Sequence, residues 1–220
     1  MTSDNSSPKP PRKGTLPTGL VLIAALAAGL GLWAAQHVFA PAPTIPTTQT
    51  VRLLNAPRTL PPFTLASPEG TLDASALHGR WTLVFLGFTH CPDICPTTLA
   101  DLAKAEKLWA AQLPDGKHPR ILFVSVDPER DSPETTAKYA RYFSAEAIGA
   151  TGNIDALGKF ASSLNMVFAK TSVDEDGNYS IDHTSWVALL DPQARLAGFI
   201  RPPLDPAQIA ADLQLLVEAK

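Results

Sequence analysis

Cys91 and Cys95 are the only cysteines in the 220-residue chain, and three residues separate them. Two thiols at that spacing can attack a disulfide, form one with each other, or chelate a soft metal ion. A structural cross-link is the weakest of these uses, because the stabilisation a disulfide provides grows with the loop it closes, and this loop is very short. Three intervening residues, one more than in a Cys-x-x-Cys redox motif, widen the bite and suit a metal as well as a disulfide.

A metal would want a third ligand, and His78, His90, His118 and His183 are the candidates. His90 adjoins Cys91, but in an extended strand end the next side chain points the opposite way. His78 and His118 lie in polar sequence beside Gly79 and Pro119, which reads as solvated surface. His183, in Asp182-His183-Thr184-Ser185, directly precedes an apolar run, and Asp182 beside it is placed to tune charge or meet a partner.

The elements that must position these residues follow from hydrophobic pattern. Residues 82–88 form an uninterrupted apolar run, as expected of a strand covered on both faces, and Cys91 comes just after it. From Pro96 to Leu113 apolar residues recur at helical spacing, with proline at the first position, which puts Cys95 about where the helix N-cap belongs. Orphan amide donors and the helix dipole favour anions there, so the spacing predicts lowered thiol pKa values.

Further strands are expected at 121–126, 167–170, 185–190 and 195–200, and helices at 133–143, 153–164 and 207–219. A hairpin is expected around the Ser67-Pro68-Glu69-Gly70 turn. A βαβ unit followed by an antiparallel pair and a terminal helix is an α/β, thioredoxin-like arrangement, here extended by an N-terminal β-hairpin and an inserted helix. In that arrangement the loop entering the 185–190 strand faces the dithiol and normally carries a cis proline. His183 stands there instead, which would set an imidazole opposite two thiolates.

Ahead of the domain, residues 19–35 carry no charged or polar side chain, and with 36–40 the run reaches the roughly 20 residues that span a bilayer. Lys9, Arg12 and Lys13 precede it and no basic residue follows until Arg52, which keeps the N-terminus cytoplasmic and exports the rest. Val38-Phe39-Ala40 also fits a signal-peptidase site, with cleavage after Ala40. The expected organisation is a cytoplasmic segment 1–18, a single transmembrane helix 19–40, a Pro/Thr-rich tether 41–60 and a domain 61–220. Beyond residue 50 the chain has 15 basic and 20 acidic residues, so it lacks the basic face that nucleic-acid binding requires. With 45% hydrophobic and 18% charged residues it is too apolar to be disordered throughout.

Three segments together resemble the signatures of the Sco/SenC family. They are Gly87-Phe88-Thr89-His90-Cys91-Pro92-Asp93-Ile94-Cys95-Pro96, Ser125-Val126-Asp127-Pro128-Glu129-Arg130-Asp131 and Asp182-His183-Thr184-Ser185. The departures are Thr184, where the family usually has serine, and the strand 186–190, where it often has a tyrosine. The resemblance implies a membrane-tethered, thioredoxin-like copper protein. Cys91, Cys95 and His183 would be its copper ligands, for Cu(I) or Cu(II), and Asp127 matches an acid of less certain role.

It further implies a metallochaperone, rather than an enzyme, that assists assembly of the dinuclear CuA centre of cytochrome c oxidase. The partners would be the oxidase subunit carrying CuA and, beyond it, another periplasmic copper chaperone or a thiol reductase. The location would be the bacterial inner membrane, with the domain in the periplasm. Two thiolates and an imidazole select copper over magnesium or calcium, whereas a structural zinc site would usually want a fourth protein ligand. The rival is a thiol:disulfide oxidoreductase using Cys91 and Cys95 on the oxidase's own cysteines, for which His183 is dispensable. A peroxidase-like role lacks a pattern of arginines to position substrate.

Overall fold

The computed structural model describes residues 18–38, 47–173 and 178–219, in two units that divide between Ile45 and Pro46. The expectations for residues 1–17, for cleavage after Ala40 and for the tether as far as residue 46 concern residues outside that description. In the first unit, α1 (Thr18–Val38) is a 21-residue helix. Its described side chains, Gly19 and residues 21–35, carry no charge and all but Ala35 are exposed. Among the described residues no helix is long and apolar enough to cross a membrane.

The second unit opens with β1 (Val51–Arg58), in part of the segment that composition reads as tether. It pairs antiparallel with the strand Leu196–Ile200 and so begins the domain before the expected residue 61. Pattern hides it because it is an edge strand with only Val51 buried, and it contains Asn55 and Pro57. β2 (Leu65–Ser67) and β3 (Gly70–Leu72) form the expected hairpin.

β4 (Thr82–Gly87), α2 (Ile94–Ala110) and β5 (Arg120–Ser125) make a parallel βαβ unit. Every residue of β4 and β5 is buried, so the sheet is covered on both faces there. α2 turns Cys95, Leu99, Leu102 and Trp109 inward at helical spacing. α3 (Pro133–Phe143) starts at Ser132, whose hydroxyl accepts from the Thr135 N–H. The short β6 (Ile148–Ala150), which sequence pattern misses, pairs parallel with β5. Gly149 lets α3 lie directly on it, since a side-chain carbon there would collide with the backbone of Ala137.

α4 (Ile154–Ser163) is capped by Asn153. Among the described residues β7 (Phe168–Lys170) and β8 (Ile181–His183) pair only with each other. β9 (Val187–Leu190), β10 (Leu196–Ile200) and α5 (Pro206–Glu218) complete the chain. The main sheet runs β1-β10-β9-β4-β5-β6, with β4, β5 and β6 parallel and β9 antiparallel to β4. This is the α/β architecture expected from the sequence.

The start of β1 is fastened by one carboxylate. Asp212 of α5, 2% exposed, accepts from the N–H groups of Gln49, Thr50 and Val51 at 2.7 to 3.1 Å. Asp212→Ala leaves these donors without their acceptor and should lower stability by about 1–3 kcal/mol, with faster amide exchange confined to residues 49–53. Urea unfolding with hydrogen exchange reads both, and unchanged exchange at those amides would refute the role.

Candidate metal centre

The site lies beyond the C-terminal end of β4, where the chain leaves the sheet, turns through residues 88–93 and enters α2. A second buried carboxylate fixes the turn. Asp131, 1% exposed, accepts from the Thr89 N–H at 2.8 Å and from the Thr89 and Ser125 hydroxyls at 2.5 Å each. The Cys91 N–H then donates to the Phe88 carbonyl at 3.2 Å. Cys91, 9% exposed, faces the cleft, and Cys95 is fully buried.

Cys95 is not at the helix cap. Asp93 holds that position, and its side chain makes no capping bond, so Pro96 falls at the third helical residue rather than the first. The Cys95 N–H donates to Cys91 Sγ at 3.4 Å. Gly87 makes room for the second sulfur, since a side-chain carbon there would approach Cys95 Sγ to 2.8 Å. Both thiols are free.

His183 reaches the sulfurs from outside the main sheet. It ends β8 instead of lying in a loop at the start of β9, and it pairs with Phe168 across the β7–β8 hairpin. Its Nε2 lies 3.5 Å from Cys95 Sγ and its Nδ1 lies 3.1 Å from the Thr184 carbonyl. A carbonyl only accepts, so Nδ1 carries the proton and the Nε2 lone pair faces the thiols. Phe85 and Phe88 meet the imidazole edge-on, at 5.7 and 6.2 Å between ring centroids.

The three expected ligands therefore converge, with donor atoms all within 4.8 Å of one another. The other candidate histidines, His78, His90 and His118, do not join them, and His78 is exposed. His90 is exposed and bonds the Thr89 hydroxyl, while His118 bonds the Leu113 carbonyl. Asp182 is exposed on the rim of a cleft of about 300 Å³ whose lining includes Cys91, Pro92, Ile94 and His183.

Burial, more than the helix terminus, governs the Cys95 thiol. Desolvation and the hydrogen bond with Cys91 push its pKa up, against the lowering expected from a cap position. Desolvation also lowers the His183 pKa, which keeps the imidazole neutral and available as a ligand. Sequence reasoning missed Asp131, Arg130 and Gly87 as parts of the site. Four charged residues within positions 127–131, directly after a buried strand, were the signal, and three of them, Asp127, Arg130 and Asp131, are bonded within the fold.

Residues 52–218 match the SCO1/SenC protein family. The chain belongs to the SCO1/SenC family. A putative copper-binding protein of Stutzerimonas stutzeri is 35% identical over 157 residues, covering 70% of this chain and 74% of that one. The human mitochondrial protein SCO1 homolog is 32% identical over 155 residues, and the match spans 69% of this chain but only half of the human protein. The crystal structure of Arabidopsis thaliana ScoI with copper bound superposes with a TM-score of 0.64 at 32% identity, covering 72% of this chain and 96% of that one. Within the SCO1/SenC match lie Cys91, Cys95, His183 and the whole 127–131 segment, and its first residue, Arg52, falls inside β1.

Capture of a soft ion by this site must displace the Cys95 thiol proton, which burial holds in place at neutral pH. Apparent Cu(I) affinity should therefore rise with pH, by about tenfold per unit for each proton released. Protonation of His183 would oppose binding further on the acid side. Competition titrations between about pH 6 and 8 measure the slope, and a flat profile would contradict a protonated resting thiol.

Proposed function

We propose that this chain carries copper on Cys91, Cys95 and His183 and delivers it to the CuA centre of cytochrome c oxidase. The observation that carries the reading is the convergence of two thiols and a neutral imidazole within 4.8 Å at the edge of an open cleft. Soft thiolates favour copper, and Cu(I) accepts three ligands, whereas structural zinc usually takes four. A site that leaves a coordination position free lets an incoming protein ligand attach before the first ligands let go. Copper is thus cargo, and the exposed Ile94, at 39%, leaves the mouth accessible to a partner.

A second reading keeps the same cysteines as a thiol:disulfide reductant for the oxidase subunit. It is favoured by the N–H bond from Cys95 to Cys91 Sγ, which stabilises negative charge on the more exposed sulfur and suits it to attack a disulfide. The histidine separates the two readings.

For location, we propose that the apolar run 19–40 anchors the chain in a bacterial inner membrane with the domain in the periplasm. The support lies in the sequence: the uncharged run 19–35, which with 36–40 reaches the roughly 20 residues that span a bilayer, and the basic residues before it. The segment between α1 and β1 would then set how far the domain reaches from the bilayer.

The test is complementation of a strain lacking this protein, scored by the copper content of CuA. His183→Ala, which keeps both thiols, should lose most assembly under copper limitation. Full assembly with His183→Ala would favour the reductase. Protease added to intact spheroplasts should digest the domain while the N-terminus stays protected, and a protected domain would reverse the orientation.

A further inference from the structure

The two arms of the site come from distant parts of the chain, and they meet directly where His183 Nε2 approaches Cys95 Sγ and where the Phe88 ring meets the imidazole. The cysteines sit on the β4–α2 turn, whereas His183 sits on β8, a three-residue strand that pairs with β7 and not with the main sheet. The segment 127–131, which follows β5, is bonded to both.

Asp131 holds the cysteine arm through Thr89, two residues before Cys91. Asp127 and Arg130 hold the histidine arm through Tyr179, four residues before His183. Asp127, 2% exposed, accepts from Arg130 Nε at 2.5 Å and from the Tyr179 hydroxyl at 2.8 Å. Arg130 Nη1 donates to the Tyr179 carbonyl at 3.1 Å, and the guanidinium stacks 3.8 Å over the Tyr179 ring. The same guanidinium lies 5.7 Å from the ring of Phe88, which meets His183 on its other contact. The segment is itself a closed turn, with the N–H groups of Arg130 and Asp131 donating to the Asp127 carbonyl.

Stability alone is a poor explanation for this cluster. A buried ion pair seldom adds net stability over apolar packing, and its best-attested use is to fix register. Arg130 Nη2 is in addition buried without a hydrogen-bond partner among the described residues, which is unfavourable. The bonds made by the rest of the group are directional: Asp131 to Thr89, and Asp127 and Arg130 to Tyr179, end on the two segments whose separation fixes the distance from imidazole to sulfur, while Ser125 ties the turn to β5.

We infer that the 127–131 turn acts as a spacer between the two arms, with Asp127, Arg130 and Tyr179 as positioning residues that set where His183 Nε2 stands relative to the thiols. None of these three residues need touch the metal. The inference rests on the proposed ligand set, and its test has one readout independent of metal.

The test uses the full chain, reduced, with Tyr179→Phe, which removes one hydroxyl, and Asp127→Asn as a second variant. In the metal-free protein, amides 181–184 should exchange faster in both variants while amides 82–87 of β4 do not change. With copper, Tyr179→Phe should weaken binding by about tenfold, the equivalent of one lost hydrogen bond to a charged group, and shift the Cu(II) spectrum toward that of His183→Ala. In the His183→Ala background the same substitution should have no further effect on affinity, because its influence runs through the imidazole.

Unchanged exchange at 181–184 in both variants would overturn the inference. So would a tenfold loss that persists in full in the His183→Ala background, the mark of general loosening. If His183→Ala bound copper as the parent does, the ligand assignment would fall, and exchange at 181–184 would still decide whether the turn holds β8.

Discussion

The buried carboxylate of Asp131 is the fixed point of the site. A carboxylate with 1% exposure must be surrounded by donors, and here the donors are the Thr89 N–H, the Thr89 hydroxyl and the Ser125 hydroxyl. Thr89 belongs to the turn that presents Cys91, and Ser125 ends β5, so satisfying one charge ties the cysteine turn to the centre of the sheet. The Val126 N–H to Gly87 carbonyl bond, at 2.8 Å, closes the same junction from the backbone side. With that junction set, Cys95 comes to rest against Gly87, and the sulfurs have a defined place for an imidazole to approach.

The approach itself is a matter of tautomer and desolvation. The Thr184 carbonyl takes the Nδ1 proton, two phenylalanine rings bracket the imidazole, and burial disfavours its cationic form. A lone pair is thereby held toward the sulfurs before any metal arrives. A pre-positioned nitrogen and two thiols, one of them at the cleft surface, suit reversible capture better than permanent storage, because a closed four-ligand cage would resist release.

How much of this could be read from the sequence depended on where the stabilising partner lies. β4 and α2 were legible because their burial is local and repeated: an apolar run in one, a helical stripe through Leu99, Leu102 and Ala103 in the other. Cys91, Cys95 and His183 were legible as candidate ligands through residue type and placement beside those elements, and the fold brings them together. β1 was not, since its partner β10 lies at the far end of the chain and its own side chains are mostly exposed. The three-residue β6 and β8 are too short for any period to register. Asp131 and Arg130 had no assigned role in the sequence, because their partners Thr89 and Tyr179 lie far away in the chain. The Cys95 pKa was expected to fall from helix position alone, and it rises because burial of the sulfur outweighs the dipole.

The central claim is that two sulfurs and one nitrogen from this chain make a single low-coordinate copper site. X-ray absorption at the copper edge, on reduced full-length protein loaded with one equivalent of Cu(I), tests it most directly. The account predicts a first shell of two sulfur and one nitrogen scatterers, with the nitrogen absent in His183→Ala. A sulfur-only shell in the parent protein, or a nitrogen scatterer that survives His183→Ala, would contradict it.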